Sequence, residues 1–169
     1  MFIAHLPAGF CLTKYIQQKA RIKKFLLVGL FASILPDIDL IYFYLFDGKQ
    51  HLHHDYWIHI PFYWLVLTVL TLAVIFFSKK KKSYIIAIIF FANIFLHLLL
   101  DTVVGKIMWL YPFTADAYSL FTVPNNHKNW ILNFTLHWTF LIEICIVACS
   151  LLTFLYYYAR KSNSDTLSE

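Results

Sequence analysis

The residues of this sequence best suited to chemistry are His97 and Asp101, which lie four positions apart inside a long run of apolar residues. Side chains at positions i and i+4 of an α-helix project from the same face. Imidazoles and carboxylates are common metal ligands, and an ionisable group within a membrane span is expensive enough to indicate a functional site. The spacing therefore predicts that His97 and Asp101 bind a metal ion together.

Other histidines and aspartates occur within or beside apolar runs. They are His5, Asp37, Asp39, His54 and His59. Asp37 and Asp39 closely follow Pro36, and a proline bends a helix and frees a carbonyl group, so both carboxylates can turn toward one cavity. An acid at membrane depth with no cation in its own segment is expected to be neutral or metal-bound. The alternative is structural: a kink with a protonated aspartate, and histidines that only hydrogen-bond between helices.

The composition is that of a membrane protein. Of the 169 residues, 60% are hydrophobic, 20% aromatic and only 14% charged, and the mean hydropathy of +0.65 exceeds that of an ordinary soluble domain. The formal charge of +5 comes largely from short basic blocks beside apolar runs. Such blocks are typical of membrane-topology signals rather than of a nucleic-acid surface, so we expect no nucleic-acid partner.

Four apolar stretches are long enough to cross a bilayer, which takes about 20 helical residues. The predicted spans are residues 25–46, 57–78, 83–104 and 131–159. Residues 1–18 are predicted to form a short helix that dips into the membrane beside the first span. The expected fold is therefore an all-α bundle of about four transmembrane helices plus this N-terminal helix. It forms a single domain over residues 1–161, followed by a polar tail at 162–169.

The distribution of Lys and Arg predicts the orientation. These residues are concentrated in segments 14–24, 79–82 and 160–161, whereas the connections 47–56 and 105–130 carry few. Basic segments are usually cytoplasmic, which places the two long connections outside. The inverted topology is the less favoured alternative.

Counting residues from the basic turns predicts the depth of the candidate ligands. At a rise of about 1.5 Å per residue, His5 and Asp37 reach one level, and so do His59 and Asp101. We therefore expect the ligands to form one layer in the outer half of the bilayer.

Three further polar residues are possible additional members of this layer: Asn93, His137 and Glu143. Asn93 extends the face of His97 and Asp101, where a polar packing stripe is the alternative. His137 reaches a similar level when counted back from the basic C-terminal end. Glu143 follows His137 by six residues, about 120° around a helix, so hydrogen-bonded packing is the favoured role for Glu143.

Four or more His and Asp ligands without Cys suit a divalent ion such as Zn²⁺, and a carboxylate-rich set can bridge two ions. The expected ligands are His5, Asp37, Asp39, His54, His59, His97 and Asp101, holding one to three ions. Asp37, Asp39 and His54 are also the candidates for catalytic roles. Bound Zn²⁺ lowers the pKa of water toward about 7 and polarises a phosphoryl or acyl oxygen, so hydrolysis needs no Ser or Cys nucleophile.

The combination of motifs resembles a known family. It comprises His5, Leu35-Pro36-Asp37-Ile38-Asp39, the pair His54 and His59, His97-x-x-x-Asp101, Gly105 and Leu110-Tyr111-Pro112-Phe113. Together they resemble the bacterial LexA-regulated, membrane-bound metal-dependent hydrolases over most of residues 5–113. The family pattern around the histidine pair is H-R-G-x-T-H-S. This sequence keeps both histidines, whereas the Arg, Gly, Thr and Ser are replaced.

The remote similarity of that family to zinc-dependent phospholipases C and P1-type nucleases implies hydrolysis of a phosphoester. A site in the bacterial cytoplasmic (inner) membrane, toward its outer face, implies a lipid or lipid-linked substrate. Two other classes of function stay open. A divalent-metal or proton transporter should connect the site to both faces, although the polar residues thin out toward the basic side. A non-catalytic membrane scaffold would tolerate loss of the ligands. The sequence leaves the oligomeric state open.

Overall fold

The computed structural model describes residues 1, 3–48, 50, 53–79 and 81–166, with side chains for all of these except residues 53, 81, 82 and 161–166. The regular secondary structure of these residues is α-helix with short 3₁₀ turns and no β-strand, and residues 102–129 form an irregular connection. The α-helices are α1 (His5–Lys19), α2 (Leu26–Ile34), α3 (Asp39–Leu45), α4 (Pro61–Ser78), α5 (Lys81–Asp101), α6 (Trp130–Thr135) and α7 (Phe140–Thr166). The predicted helical membrane bundle is confirmed.

Among the described residues, three stretches of helix are long and apolar enough to cross a membrane: Pro61–Ser78, Ser83–Asp101 and Phe140–Arg160. A fourth crossing exists if Leu26–Ile34 and Pro36–Leu45 are one span, bent by 51°. The bend occurs at the 3₁₀ turn Pro36–Ile38, because proline has no N–H group to donate and its ring clashes with the preceding turn. The exterior of these helices carries many large exposed apolar side chains, which a lipid environment accommodates.

The predicted second and fourth spans start too early. Helix α4 begins at Pro61, a residue favoured at the first position of a helix, and Trp57–His59 instead form a 3₁₀ turn. The fourth crossing begins at Phe140 rather than at residue 131. The helix is interrupted after α6, where Nδ1 of His137 lies 2.8 Å from Oγ1 of Thr139 and the N–H of Phe140 donates to the carbonyl of His137. Helix α7 then continues past residue 162, into the segment predicted as a tail.

The N-terminal helix α1 packs against α2, α5 and α7, and its approach to α2 is very close. A Cβ atom on Gly29 would lie 1.9 Å from Oγ1 of Thr13, and one on Gly9 would lie 2.4 Å from Cβ of Ser33. Residues without a side chain allow helix backbones in membranes to approach this closely. The contact fixes the first turn of α1 beside the end of α2.

The candidate ligands lie at one end of the bundle and the basic turns at the other. Helix α1 runs from His5 to Lys19, and α5 runs in the opposite sense, from Lys81 to Asp101. The 21 residues of α5 cover about 30 Å at the helical rise. The site is thus separated from the basic end by about the thickness of a hydrocarbon core.

Candidate metal centre

Two groups of histidine and aspartate side chains meet at this end of the bundle. The first group contains His5, Asp37, His97 and Asp101, and the second contains His54, His59 and Asp101. Within each group, one ligand atom from every residue lies within 4.8 Å of the others. The shared carboxylate of Asp101 joins the two groups, so the arrangement is able to bind one ion in either group or two neighbouring ions.

The ligand atoms converge on two carboxylate oxygens. From Oδ2 of Asp101, the Nε2 atoms of His97, His54 and His59 are 3.0, 3.5 and 3.6 Å away. From Oδ1 of Asp37, the Nε2 atoms of His97 and His59 are 3.7 and 4.0 Å away. Most of these separations are too long for hydrogen bonds. They are close to the spacing of about 3.3 Å between atoms that ligate one tetrahedral Zn²⁺ at about 2.0 Å, so they fit an ion between the atoms.

Two of the histidines are held through Nδ1. The Nδ1–H of His97 donates to the carbonyl oxygen of Ser33 at 2.8 Å, and the Nδ1–H of His59 donates to Oδ2 of Asp39 at 2.7 Å. Both partners only accept, which fixes the tautomer and leaves each Nε2 with a lone pair. This is the usual arrangement of metal-binding histidines.

The interior of the cluster contains polar atoms whose burial is costly. Within the described structure, Nε2 of His97 and Oδ2 of Asp101 are buried without a hydrogen-bond partner, and both residues are only 1% exposed. No Lys or Arg side chain described here forms an ion pair with these aspartates. The α-amino group of Met1 pairs with the other carboxylate oxygen, Oδ1 of Asp101, and a bound cation would satisfy the buried Oδ2 of Asp101 and Nε2 of His97.

Asp39 was predicted as a ligand and as a catalytic residue, and the structure places it behind His59. Its Oδ2 accepts the hydrogen bond from Nδ1 of that ring, and Asp39 belongs to neither group among the described residues. The two carboxylates that follow Pro36 therefore have different roles in the structure. Asp37 faces the cluster, whereas Asp39 orients one of its histidines.

His5 reaches the cluster from the first turn of α1. Its ring stacks on that of His97, with centroids 3.8 Å apart. Its Nε2 lies 3.1 Å from Oδ1 of Asp101 and 2.9 Å from the carbonyl oxygen of Met1. The α-amino group of Met1 also contacts Oδ1 of Asp101. The structure thus brings the N-terminal segment to the end of α5.

His54 is accommodated by Gly105, which follows the end of α5. A Cβ atom at position 105 would lie 2.3 Å from Cε1 of His54, so any larger residue would displace the ring. The chain after α5 folds back here: Nε1 of Trp109 donates to Oγ1 of Thr102 at 2.8 Å, and the N–H of Leu120 donates to the carbonyl of Thr102 at 2.8 Å. This connection therefore packs beside the site at the end of α5.

The three possible additional members belong to neither group in the described part of the chain. Asn93 donates from Nδ2 to Oγ1 of Thr13 at 3.0 Å and to the carbonyl of Ile89 at 2.7 Å. Glu143 is fully buried and accepts from the N–H of Ile3 at 2.6 Å, which ties the N-terminal segment to α7. His137 lies in the break before α7.

The sequence interpretation missed a column of buried polar residues below the cluster. Thr13 and Gln17 on α1 are buried like Asn93, and Nε2 of Gln17 donates to the carbonyl of Lys24 at 2.8 Å, close to the basic end. The polar residues therefore do not thin out inside the bundle. The i, i+4 spacing of Thr13 and Gln17 was the available signal, but their nearness to the basic turn made them resemble interfacial residues.

The fold and the cluster together define a class: a multi-pass helical membrane protein with His/Asp groups able to bind a metal ion at one end. The chain belongs to the YdjM inner membrane protein family, whose model matches residues 1–163. It is therefore a multi-pass protein of the inner membrane, and the LexA-regulated family named from the motifs is supported to that extent. No curated protein and no solved structure matches the chain.

Proposed function

We propose that this protein is a metal-dependent hydrolase of the inner membrane that cleaves a phosphoester in a lipid or lipid-linked substrate. The observation that carries the proposal is the convergence of the Nε2 atoms of His59 and His97 on the carboxylates of Asp37 and Asp101, with both rings held through Nδ1. The donor set of imidazoles and carboxylates without thiolate is best suited to Zn²⁺.

A divalent ion in this site would lower the pKa of a bound water and polarise a phosphoryl oxygen. The exposed fraction of each side chain in the cluster indicates its role. The side chain of Asp101 is 2% exposed, so it serves as a ligand, whereas Asp37 is 28% exposed and stands where a substrate enters. The free carboxylate oxygen of Asp37 can accept a proton from the attacking water. The 13% exposed ring of His54 can donate a hydrogen bond to the phosphoryl group.

The surroundings of the open side support a lipid substrate. Ile38, Tyr42 and Trp57, which adjoin Asp37 and His59 along the chain, are each at least half exposed. An amphiphile can keep its acyl chains against such a surface while its headgroup reaches the cluster. The positive-inside rule assigns the basic end to the cytoplasm and the cluster to the outer face.

The test uses purified protein in lipid with Zn²⁺ or Mn²⁺ and a panel of phospholipids and polyprenyl-phosphate-linked compounds. We expect release of a phosphorylated headgroup or phosphate, inhibition by a chelator, and poor turnover of soluble nucleotides. The double change of His97→Ala with Asp101→Ala should remove bound metal, Asp37→Asn should remove activity, and Glu143→Gln should preserve both. Metal retained by the double variant would assign these side chains to packing.

A labelling experiment tests the orientation separately. With the native cysteines replaced by serine, a membrane-impermeant thiol reagent added to the periplasmic side should modify Asn126→Cys and leave Lys79→Cys unmodified, since both positions are exposed at opposite ends of the bundle. The reverse pattern would move the cluster to the cytoplasmic half.

One observation favours translocation of a metal ion or proton as a second candidate function. The buried column of Asn93, Thr13 and Gln17 extends from the cluster toward the basic end, and polar residues inside a membrane bundle often mark ion pathways. The test is the flux of metal ions or protons in liposomes that contain the protein. Flux by the wild type that is lost in both His97→Ala and Asn93→Leu, with no ester cleaved in the lipid panel, would favour translocation over hydrolysis.

A further inference from the structure

A basic cavity lies at the end of the bundle remote from the His/Asp cluster. It occupies about 550 Å³ between α1, the turn after α1 and the end of α7, and its walls include Lys14, Arg21, Lys23, Tyr157 and Arg160. No acidic side chain is among its lining residues, and none of its four cations forms an ion pair with a described carboxylate. Among the described side chains, the cavity therefore has a concentrated positive potential and no internal counter-ion.

An apolar groove adjoins this cavity along the same two helices. It occupies about 340 Å³, and its lining residues are Leu6, Pro7 and Phe10 on α1, Leu30 on α2, and Val147, Ser150, Leu151 and Phe154 on α7. Lys14 marks the junction, because its Nζ lies 5.7 Å from the ring centre of Phe10 in the groove and 5.2 Å from that of Tyr157 in the cavity. The two spaces are therefore neighbours on either side of Lys14, and together we call them the channel, which is apolar along one half and cationic at its end.

The channel extends from headgroup level past the middle of the bilayer. From Val147 to Arg160, thirteen residues of helix cover about 20 Å, compared with a half-thickness of about 15 Å for a hydrocarbon core. The cations consequently stand at headgroup level and the groove at the level of the acyl chains. Helix α7 packs mainly against α1, so the channel opens directly to lipid along its length.

We propose that this channel is a binding site for an anionic phospholipid of the leaflet at the basic end. Lys14, Arg21 and Arg160 bind the phosphodiester and any further anionic group, and one acyl chain lies in the groove between α1 and α7. Basic pockets between transmembrane helices favour anionic headgroups, and guanidinium groups pair well with phosphate oxygens. A soluble phosphate compound would use the cations but leave the apolar half of the channel unoccupied.

Lipid retention by the full chain in detergent tests the proposal. Wild type, the double variant Lys14→Gln with Arg160→Gln, and the control Lys19→Gln with Lys79→Gln are titrated with phosphatidylglycerol or phosphatidylcholine, and bound lipid is counted by native mass spectrometry. The control removes the same charge from the same end of the bundle without touching the cavity. We expect the test variant to bind phosphatidylglycerol about 25-fold more weakly, about fivefold for each cation, and the control to bind like wild type.

A further variant and a soluble competitor distinguish a bound phospholipid from a bound soluble phosphate compound. Ser150→Trp fills the apolar groove at one of its lining residues and keeps every charge, so it should also weaken retention of phosphatidylglycerol. Glycerol 3-phosphate should fail to displace the lipid at millimolar concentration. Equal binding of the two phospholipids by wild type, or equal losses in the test and control variants, would overturn the site. Displacement by glycerol 3-phosphate, with Ser150→Trp unaffected, would overturn the lipid as its occupant. Metal content should stay unchanged in all variants, so the result is independent of the proposed hydrolase function.

Discussion

Replacing Asp39 with alanine should weaken metal binding by about ten- to a hundredfold, the usual effect of removing a residue that orients a metal-binding histidine. The carboxylate of Asp39 is almost buried and accepts the hydrogen bond from Nδ1 of His59 at 2.7 Å. Without it, the ring is free to rotate and to exchange tautomers, and Nε2 no longer points stably toward Asp101. The predicted loss corresponds to about 1.4–2.7 kcal/mol of binding free energy.

Three comparison variants separate orientation from ligation. Asp39→Asn keeps a side-chain oxygen that can accept from Nδ1, so its loss should be near the lower limit of about tenfold. Asp101→Ala removes the carboxylate that both groups share, so its loss should exceed that of Asp39→Ala. Asp116→Ala removes an exposed carboxylate from the connection after α5 and should leave affinity unchanged.

The assay is a titration of purified, metal-depleted protein with Zn²⁺ against a chelator of known affinity, accompanied by a thermal melt of each metal-free variant. Two results would refute the structural argument. Unchanged affinity in Asp39→Ala would show that His59 needs no orientation or is not a ligand. A loss as large as that of Asp101→Ala, without unfolding, would identify Asp39 as a direct ligand instead.

Three further predictions follow from close contacts and buried hydrogen bonds. Gly29→Ala places a methyl group against Thr13 and should destabilise the bundle by about 1–3 kcal/mol. The measurement is a thermal or denaturant melt, and an unchanged melt would show that α1 and α2 move apart easily. Gly105→Ala should displace His54 and reduce the number or affinity of bound ions at little cost in stability, whereas a variant that melts early with intact metal binding would contradict this. Asn133→Ala removes three hydrogen bonds that join α6 to the connection before it, each worth about 1 kcal/mol. Amide exchange in that connection should therefore accelerate, and unchanged exchange would show that these hydrogen bonds do not stabilise it.

The sequence could predict the layer of ligands because helices have a fixed rise. Counting from the basic turns placed His5, Asp37, His59 and Asp101 at similar depths, and the structure brings these four side chains together. The i, i+4 spacing likewise placed His97 beside Asp101. These inferences depend only on helical periodicity and on the positions of charged residues, both of which are local.

The features that the sequence does not reveal depend on contacts between side chains or distant segments. Asp37 and Asp39 are equivalent by residue type and position, and only the location of His59 decides that one faces the cluster and the other lies behind it. The helix break near His137 coincides with a side-chain hydrogen bond between His137 and Thr139, which the composition of the run does not reveal. The proximity of Gly105 to His54 joins two connections about fifty residues apart, and no local pattern encodes it.

The bend at Pro36 makes the protein shorter on one side than on the other. If α2 lies along the bilayer normal, its nine residues rise about 13.5 Å. The segment Pro36–Leu45 contains about 16.5 Å of 3₁₀ turn and α3, and its tilt of 51° reduces the rise to about 10 Å. The total of about 24 Å is less than the thickness of about 30 Å of an average hydrocarbon core, whereas the 21 residues of α5 match it. Where the hydrophobic surface of a protein is shorter than the hydrocarbon core, the bilayer becomes locally thinner so that its acyl chains stay covered. The membrane surface should therefore form a dimple beside Asp37, where lipid headgroups sink toward the carboxylate, and the protein should favour bilayers of shorter-chain lipids.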